Sequence, residues 1–293
     1  MGLPGNDAGG GDMRIPESCA KCLYDRQCRR VQDEGYLAEV RALIEARGQN
    51  DTSPLLIYRF NQVFARRFGP SDSYAEIKRR SNDLVLGMAD RLRKKIEAAD
   101  DPLAAALAYA RVGNYIDYGA MDTVDENEFL GLFEKAALRP EEAETYRHFV
   151  SACENGKRFL VIADNCGEIV LDRLLLEQLK ERFPHLRFQA LVRGGEVLND
   201  VTPREAVYVG IDKIAEVLPN GAAIAGTVYE MLPEAARQAM DGADVILAKG
   251  QGNYESLSGQ GRHIFYAFLC KCELFTSRFR VSPLTGMLVE EGK

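Results

Sequence analysis

The order of apolar runs predicts an α/β protein: a doubly wound, mostly parallel sheet carrying an N-terminal helical domain or cap. Three observations carry that expectation. From residue 53 to about 155 apolar positions recur at helical spacing almost throughout. After residue 157 short apolar runs alternate with helical stretches, the pattern that builds a parallel sheet. The first of those runs, Phe159 to Ala163, is continuously apolar, as a strand covered on both faces requires. The chain therefore divides into a disordered terminus at 1–12, a helical domain at 13–155 and an α/β domain at 156–293.

Taken in order, residues 1–12 hold five glycines and a proline with almost no apolar side chains, too little to offset the entropy of ordering. ESCAKCLYDRQCRR then reads as helical from its outset. Leu56, Phe60, Val63 and Phe64 form one helical stripe. Ile77, Leu84, Val85, Met88, Leu92 and Ile96 form another on a longer helix opened by Ser71-Asp72. Asp100-Asp101-Pro102 caps a third helix, whose end carries the polar residues Gly113, Asn114 and Asp117 on an otherwise apolar face. Two more helices are expected over 125–138 and 140–155. Strand 159–163 ends at Asp164-Asn165, Gly167 turns the chain, and Ile169, Val170, Leu174, Leu175 and Leu179 follow as an amphipathic helix. A second strand is expected at Phe188–Val192, a helix after Thr202-Pro203, a weak strand at Ile224-Ala225, a helix opened by Pro233 and a strand at Asp244–Ala248. Ile264–Cys272 and Met287–Val289 add one or two last strands.

The 37 basic against 44 acidic residues leave a net charge of -7, which argues against nucleic acid or an anionic membrane as the main partner. The first residues lack the apolar core of a signal peptide and no apolar run is long enough to span a bilayer, so a cytoplasmic protein is expected. Seven cysteines at uneven spacing suit reduced thiols better than a disulfide scaffold.

Ligand crevices of open parallel sheets lie beyond the carboxyl ends of the strands, and three such exits carry chemistry here. The first holds Asp164-Asn165; the second holds Arg193, Gly194, Gly195 and then Asn199-Asp200; the third holds Lys249, Gly250, Gly252 and Asn253. Carboxylate and amide oxygens without histidine suit a hard or borderline divalent ion such as Mg²⁺ or Mn²⁺, and the chain has only three histidines. A lysine in a glycine-rich loop suits a phosphate, although no Walker A loop is present. Each exit taken alone is also what an ordinary helix cap or turn looks like; three together favour a site.

DNCGEIVLD (164–172), LNDVT (198–202), KGQGNYE (249–255) and GNYID (113–117) resemble the metal-dependent damage-control phosphatases of the domain-of-unknown-function 89 superfamily. The likeness runs in order over most of the chain from residue 19, and the N-terminal CAKC is similar to the prokaryotic branch. The resemblance implies a divalent metal (Mn²⁺, Co²⁺, Ni²⁺ or Mg²⁺) and hydrolysis of small phosphorylated metabolites. Carried over, it makes Asp164, Asn165 and Asp200 the metal ligands and puts Lys249 on the phosphate. Backbone N–H groups near Gly167 or Gly252 are expected to complete the phosphate cradle. Asn253, Gly252, Arg193, Asn114 and Asp117 join them as substrate-side residues. Glu168 and Asp172 are one helical turn apart, and Glu168, the nearer, is expected to support the metal or act as general base.

Two rival readings share the fold: an S-adenosylmethionine-dependent carboxyl methyltransferase and a non-enzymatic metabolite-binding protein. The first exit, ADNCGE, lacks the repeated glycines of a nucleoside-binding turn, which weighs against the methyltransferase. The cysteines leave two readings open as well. Cys19 and Cys22 with Cys270 and Cys272 would make a four-thiolate zinc site if the N-terminal helix met the last strands, Cys270 and Cys272 sharing one strand face. The alternative, that they are buried reduced thiols, is the expected one.

Overall fold

A computed structural model describes residues 15–71, 73–116 and 126–292. The disordered terminus expected at 1–12, and Asp72 and Asp117, lie outside the described residues. The first eight helices are α1 (Glu17–Arg30), α2 (Glu34–Glu45), α3 (Ser53–Phe68), α4 (Ala75–Leu86), α5 (Ala89–Glu97), α6 (Pro102–Gly113), α7 (Glu126–Glu134) and α8 (Ala143–Asn155). Then strands and helices alternate: β1 (Arg158–Ile162), α9 (Glu168–Arg182), β2 (Arg187–Val192), α10 (Pro203–Tyr208), β3 (Glu216–Pro219), α11 (Glu234–Gly242), β4 (Val245–Lys249), α12 (Gln251–Leu257), β5 (Ile264–Leu269), α13 (Glu273–Phe279) and β6 (Gly286–Glu291). No helix of the described residues is long and apolar enough to cross a membrane.

The six strands run in the order β3-β2-β1-β4-β5-β6. All neighbours are parallel except β6, which closes the edge antiparallel to β5. Strand order thus reverses between β1 and β4, and their carboxyl ends flank the crevice where such sheets bind ligands. Successive side chains of each strand serve opposite faces. Phe159, Val161, Phe188, Ala190, Val245 and Leu247 pack with α5, α6, α8 and α9. Leu160, Ile162, Leu191, Ile246 and Ala248 pack with α11, α12 and α13. Helices α1–α3 bury a separate cluster built on Tyr36, Val40, Leu56 and Phe60.

Helix α6 is apolar on every side because it is enclosed between α9 and the sheet, and Leu103 and Ala106 through Gly113 are all buried. Asp101 caps it, its side chain accepting from Ala104 N at 3.1 Å. A Cβ on Gly113 would stand 2.8 Å from Glu168 Cα. Only glycine lets the end of α6 meet the start of α9 this closely, and the approach carries Asn114 to the exit of β1.

Three expectations about elements are corrected. The long helix through Ile77 and Ile96 is two helices: Met88 N bonds to Val85 O in a tightened turn after Gly87, whose helix propensity is about 1 kcal/mol below alanine's. The stripe turns the corner with it, since Val85, Leu92 and Ile96 all stay buried. The weak strand falls at Glu216–Pro219 rather than Ile224-Ala225: it is a half-exposed sheet edge ending in proline, and so lacks a buried strand's apolar run. Strand β5 stops at Leu269, and Cys272 caps α13, so Cys270 and Cys272 do not share a strand face.

Candidate active site

The β1 exit is fixed by its own turn. Gly167 at φ +84° starts α9, its N–H donating to Asn82 Oδ1 on α4 at 2.6 Å. Asn165 forms an isolated antiparallel bridge with Asp200, and Val201 N donates to Asp164 O at 2.9 Å. Main-chain pairing therefore sets the β1 and β2 exits side by side and brings Asp164, Asn165 and Asp200 together. All three are at least nine-tenths buried.

Two linked charge networks fill the space between the exits. In the first, Arg193 Nη2 donates to Asp164 Oδ1 at 2.8 Å and Nε to Asp200 Oδ2 at 2.6 Å. In the second, Lys249 Nζ donates to Glu168 Oε1 at 2.8 Å, Asp172 Oδ1 at 2.5 Å and Ala110 O at 3.0 Å. The link is made of amides. Asn114 Nδ2 donates to Asp164 Oδ2 at 3.1 Å and Glu168 Oε2 at 3.0 Å, and Asn165 Nδ2 donates to the same two oxygens at 2.7 and 3.3 Å. The far side of Asn114 accepts from Leu269 N at 3.2 Å, anchoring it to β5.

These groups are out of water, so their charges act strongly on one another. Burial, partly offset by the Lys249 ammonium and reinforced by the Glu168 charge, pushes Asp172 up to about 7. Burial opposes the Lys249 charge, but Asp172 and Glu168 outweigh it and lift the lysine to about 12. Burial likewise opposes the Arg193 charge, and Asp200 and Asp164 raise it above its ordinary value. Cys166, between the two exits, is pushed up by burial, so it stays a thiol and is no nucleophile.

The sequence-predicted residues meet here, but several have different partners from those expected. Lys249 was expected on the phosphate; all three of its N–H directions are instead taken by Glu168, Asp172 and the Ala110 carbonyl. Arg193, expected on the substrate, spans two carboxylates. Asn253 accepts from Arg193 and Thr227 and donates to the Lys249 and Ala163 carbonyls, which makes it a brace behind the crevice. Gly252 abuts a different wall: a Cβ there would lie 2.2 Å from Ala225 O. The Gly167 N–H, expected in a phosphate cradle, is occupied by Asn82.

Gly250 is the glycine against the site, where a Cβ would stand 1.9 Å from Asp164 Oδ2. Asn82 was missed altogether. Its signal was present, since Lys78, Ser81 and Asn82 are polar residues on the buried stripe of α4.

A divalent ion is tested by the donor set. Among the described residues no three His, Cys, Asp or Glu side chains converge to hold a metal. The set here is two carboxylates and an amide, Asp164, Asp200 and Asn165, all hard oxygen donors. Asp164 and Asp200 share a single cation, Arg193, so the oxygen donors keep an excess of negative charge that a bound ion would offset. The residues fit the group. Cys19 on α1 lies near enough to Cys22 and Cys272 for their charges to help burial raise its thiol, but among the described residues no three of these thiols converge to hold a metal, and Cys22 and Cys272 are exposed rather than buried as expected.

Fold and site define an α/β protein with a carboxylate and amide crevice at the switch point of a parallel sheet. The chain belongs to the damage-control phosphatase ARMT1-like domain family, whose model matches residues 14–283. It is 31% identical over 276 residues to a damage-control phosphatase of Archaeoglobus fulgidus, covering 89% of this chain and 93% of that one. It is 27% identical over 284 residues to damage-control phosphatase PH1575 of Pyrococcus horikoshii, covering 92% and 95%. The crystal structure of that domain-of-unknown-function 89 protein superposes with a TM-score of 0.77 over 94% of this chain and 99% of the other, at 22% identity, a likeness of fold.

Proposed function

We propose that this chain is a divalent-metal-dependent phosphatase of small phosphorylated metabolites, sugar phosphates or phosphorylated cofactor intermediates, damaged forms among them. The observation that carries the reading is the buried excess of carboxylate charge beside an amide ligand at the switch point. Asp164, Asn165 and Asp200 would hold Mn²⁺, Co²⁺, Ni²⁺ or Mg²⁺. When bound, the ion supplies Lewis-acid activation of water and neutralises charge on the phosphoryl group.

The chain's own residues do the rest. Asn114 and Asn165 fix Asp164 Oδ2 and Glu168 Oε2 side by side. Lys249 holds the other oxygen of Glu168 at 2.8 Å, so with the two amides on Oε2 the carboxylate is gripped at both oxygens and would support Asp164 and the ion it holds. Lys249 then acts through Glu168, by orientation and charge. Burial on both sides of the crevice keeps bulk water out, so these charges are worth more than on a surface. The free thiols of the described residues support a cytoplasmic setting.

Phosphate release and methyl transfer from S-adenosylmethionine, measured side by side with and without Mn²⁺ across a panel of sugar phosphates and phosphorylated cofactors, test the reading. Mn²⁺-dependent phosphate release is expected. Methyl transfer without phosphate release, or binding without turnover, would overturn it.

A further inference from the structure

The Arg193 side chain is 1% exposed. Its fork ties four segments together: Nε to Asp200, Nη2 to Asp164, and Nη1 to Gly226 O and Asn253 Oδ1, both at 3.0 Å. Four of the five guanidinium N–H groups are thereby engaged, so at most one remains for any further acceptor. Asp164 and Asp200 face one another across that fork, with side chains 8% and 4% exposed. Two carboxylates so far from water can be ionised together only with a cation between them.

We propose that Arg193 is the resident counter-cation of the Asp164–Asp200 pair. It is a positioning residue that holds the two carboxylates converged on one fork, and its charge competes with that of a divalent ion for them. This assignment rests on the metal reading above and replaces the substrate contact expected from the residue's place in the sequence. Lys249 cannot take over the duty, because its own donors are committed to Glu168, Asp172 and Ala110.

Such a residue has an unusual signature. Removing its charge while keeping a hydrogen-bonding amide, as in Arg193→Gln, destabilises the protein in EDTA. The same change removes a like charge a few ångströms from the ion, so metal binds more tightly; at that range the effect is on the order of tenfold or more. A plain phosphate ligand would show neither effect.

The test is thermal unfolding of full-length wild type, Arg193→Gln and Arg193→Lys in EDTA and in saturating Mn²⁺, with Mn²⁺ affinity from calorimetry. Expected is a melting temperature for Arg193→Gln well below wild type in EDTA, a larger Mn²⁺-induced rise than wild type shows, and tighter Mn²⁺ binding. Arg193→Lys, which keeps the charge, should lie between the two in EDTA. An Arg193→Gln protein that is unfolded in EDTA and folds on adding Mn²⁺ meets the expectation in its strongest form. Wild-type stability in EDTA, an equal or smaller Mn²⁺ rise, an Arg193→Lys no better than Arg193→Gln, or a variant unfolded in both conditions each overturns the proposal. A wild type that binds no Mn²⁺ refutes the metal reading itself, which separates the two failures.

Discussion

Gly250→Ala probes the site without removing a charged group. At φ 80° and ψ 157° this residue occupies a backbone region used almost only by glycine, so alanine costs about 1–3 kcal/mol in strain. Its Cβ would also begin 1.9 Å from Asp164 Oδ2, and real Cβ contacts essentially never fall below 3.0 Å. The Asp164 carboxylate must therefore retreat by about 1.1 Å from a position set by Asn114, Asn165 and Arg193. A misplacement near 1 Å costs about a hundredfold in rate when geometry limits the reaction. Together the strain and the displacement should remove roughly 2–4 kcal/mol, a fall in melting temperature of roughly 5–10 °C.

The control is Gly259→Ala, at φ +81° with nothing within 4 Å of the new Cβ, which carries strain but displaces nothing. Thermal melts and kcat/KM on an aryl phosphate with Mn²⁺ are the assays. Gly259→Ala should lose stability and keep activity; Gly250→Ala should lose both. Activity of Gly250→Ala within about threefold of wild type would refute the placement of Asp164 at the reacting centre.

Asn114→Ala removes the amide shared by Asp164 and Glu168, and kcat/KM should fall about 10- to 100-fold while the melting temperature changes less than in Gly250→Ala; unchanged kinetics would make Asn114 a mere helix end. Asp172→Asn tests the buried carboxyl. It titrates near 3.8 when unfolded and about 7 when folded, so the native state holds an extra proton between those values and wild-type stability falls as pH rises through that window. The variant should thus gain on wild type from about pH 4 to 7 in urea melts, and parallel profiles over that range would contradict the assignment. Protein purified without added zinc should hold no stoichiometric zinc, because among the described residues no three of the cysteines converge on a metal position although Cys19 lies near Cys22 and Cys272; one tight zinc, lost in a Cys19→Ser, Cys22→Ser variant, would restore the thiolate site.

The sheet was legible where burial on both faces produced unbroken apolar runs, as at Phe159–Ala163 and Val245–Ala248, and where Asp101-Pro102 and Thr202-Pro203 punctuated helix starts. It was illegible at β3, because an edge strand four residues long buries too little to leave a pattern. That the strand exits meet was readable: Asp164, Asn165, Arg193, Asp200, Lys249 and Asn253 come together in one hydrogen-bonded group. Pairing was not, because which carboxylate meets which cation depends on register and on helices distant in the chain. Glu168 and Asp172 were readable as one helical face, yet only the meeting of α9 with the end of β4 shows that both hold Lys249. Asn82 reaches Gly167 across 85 positions, a relation no local pattern expresses.

The most direct test of the central claim is an anomalous-scattering map from crystals grown with Mn²⁺ at a concentration that supports phosphate release. The strongest peak should lie within bonding distance of the Asp164, Asn165 and Asp200 side-chain oxygens and be absent in Asp164→Ala; a strongest peak elsewhere, or one that survives that substitution, would rule out this metal site.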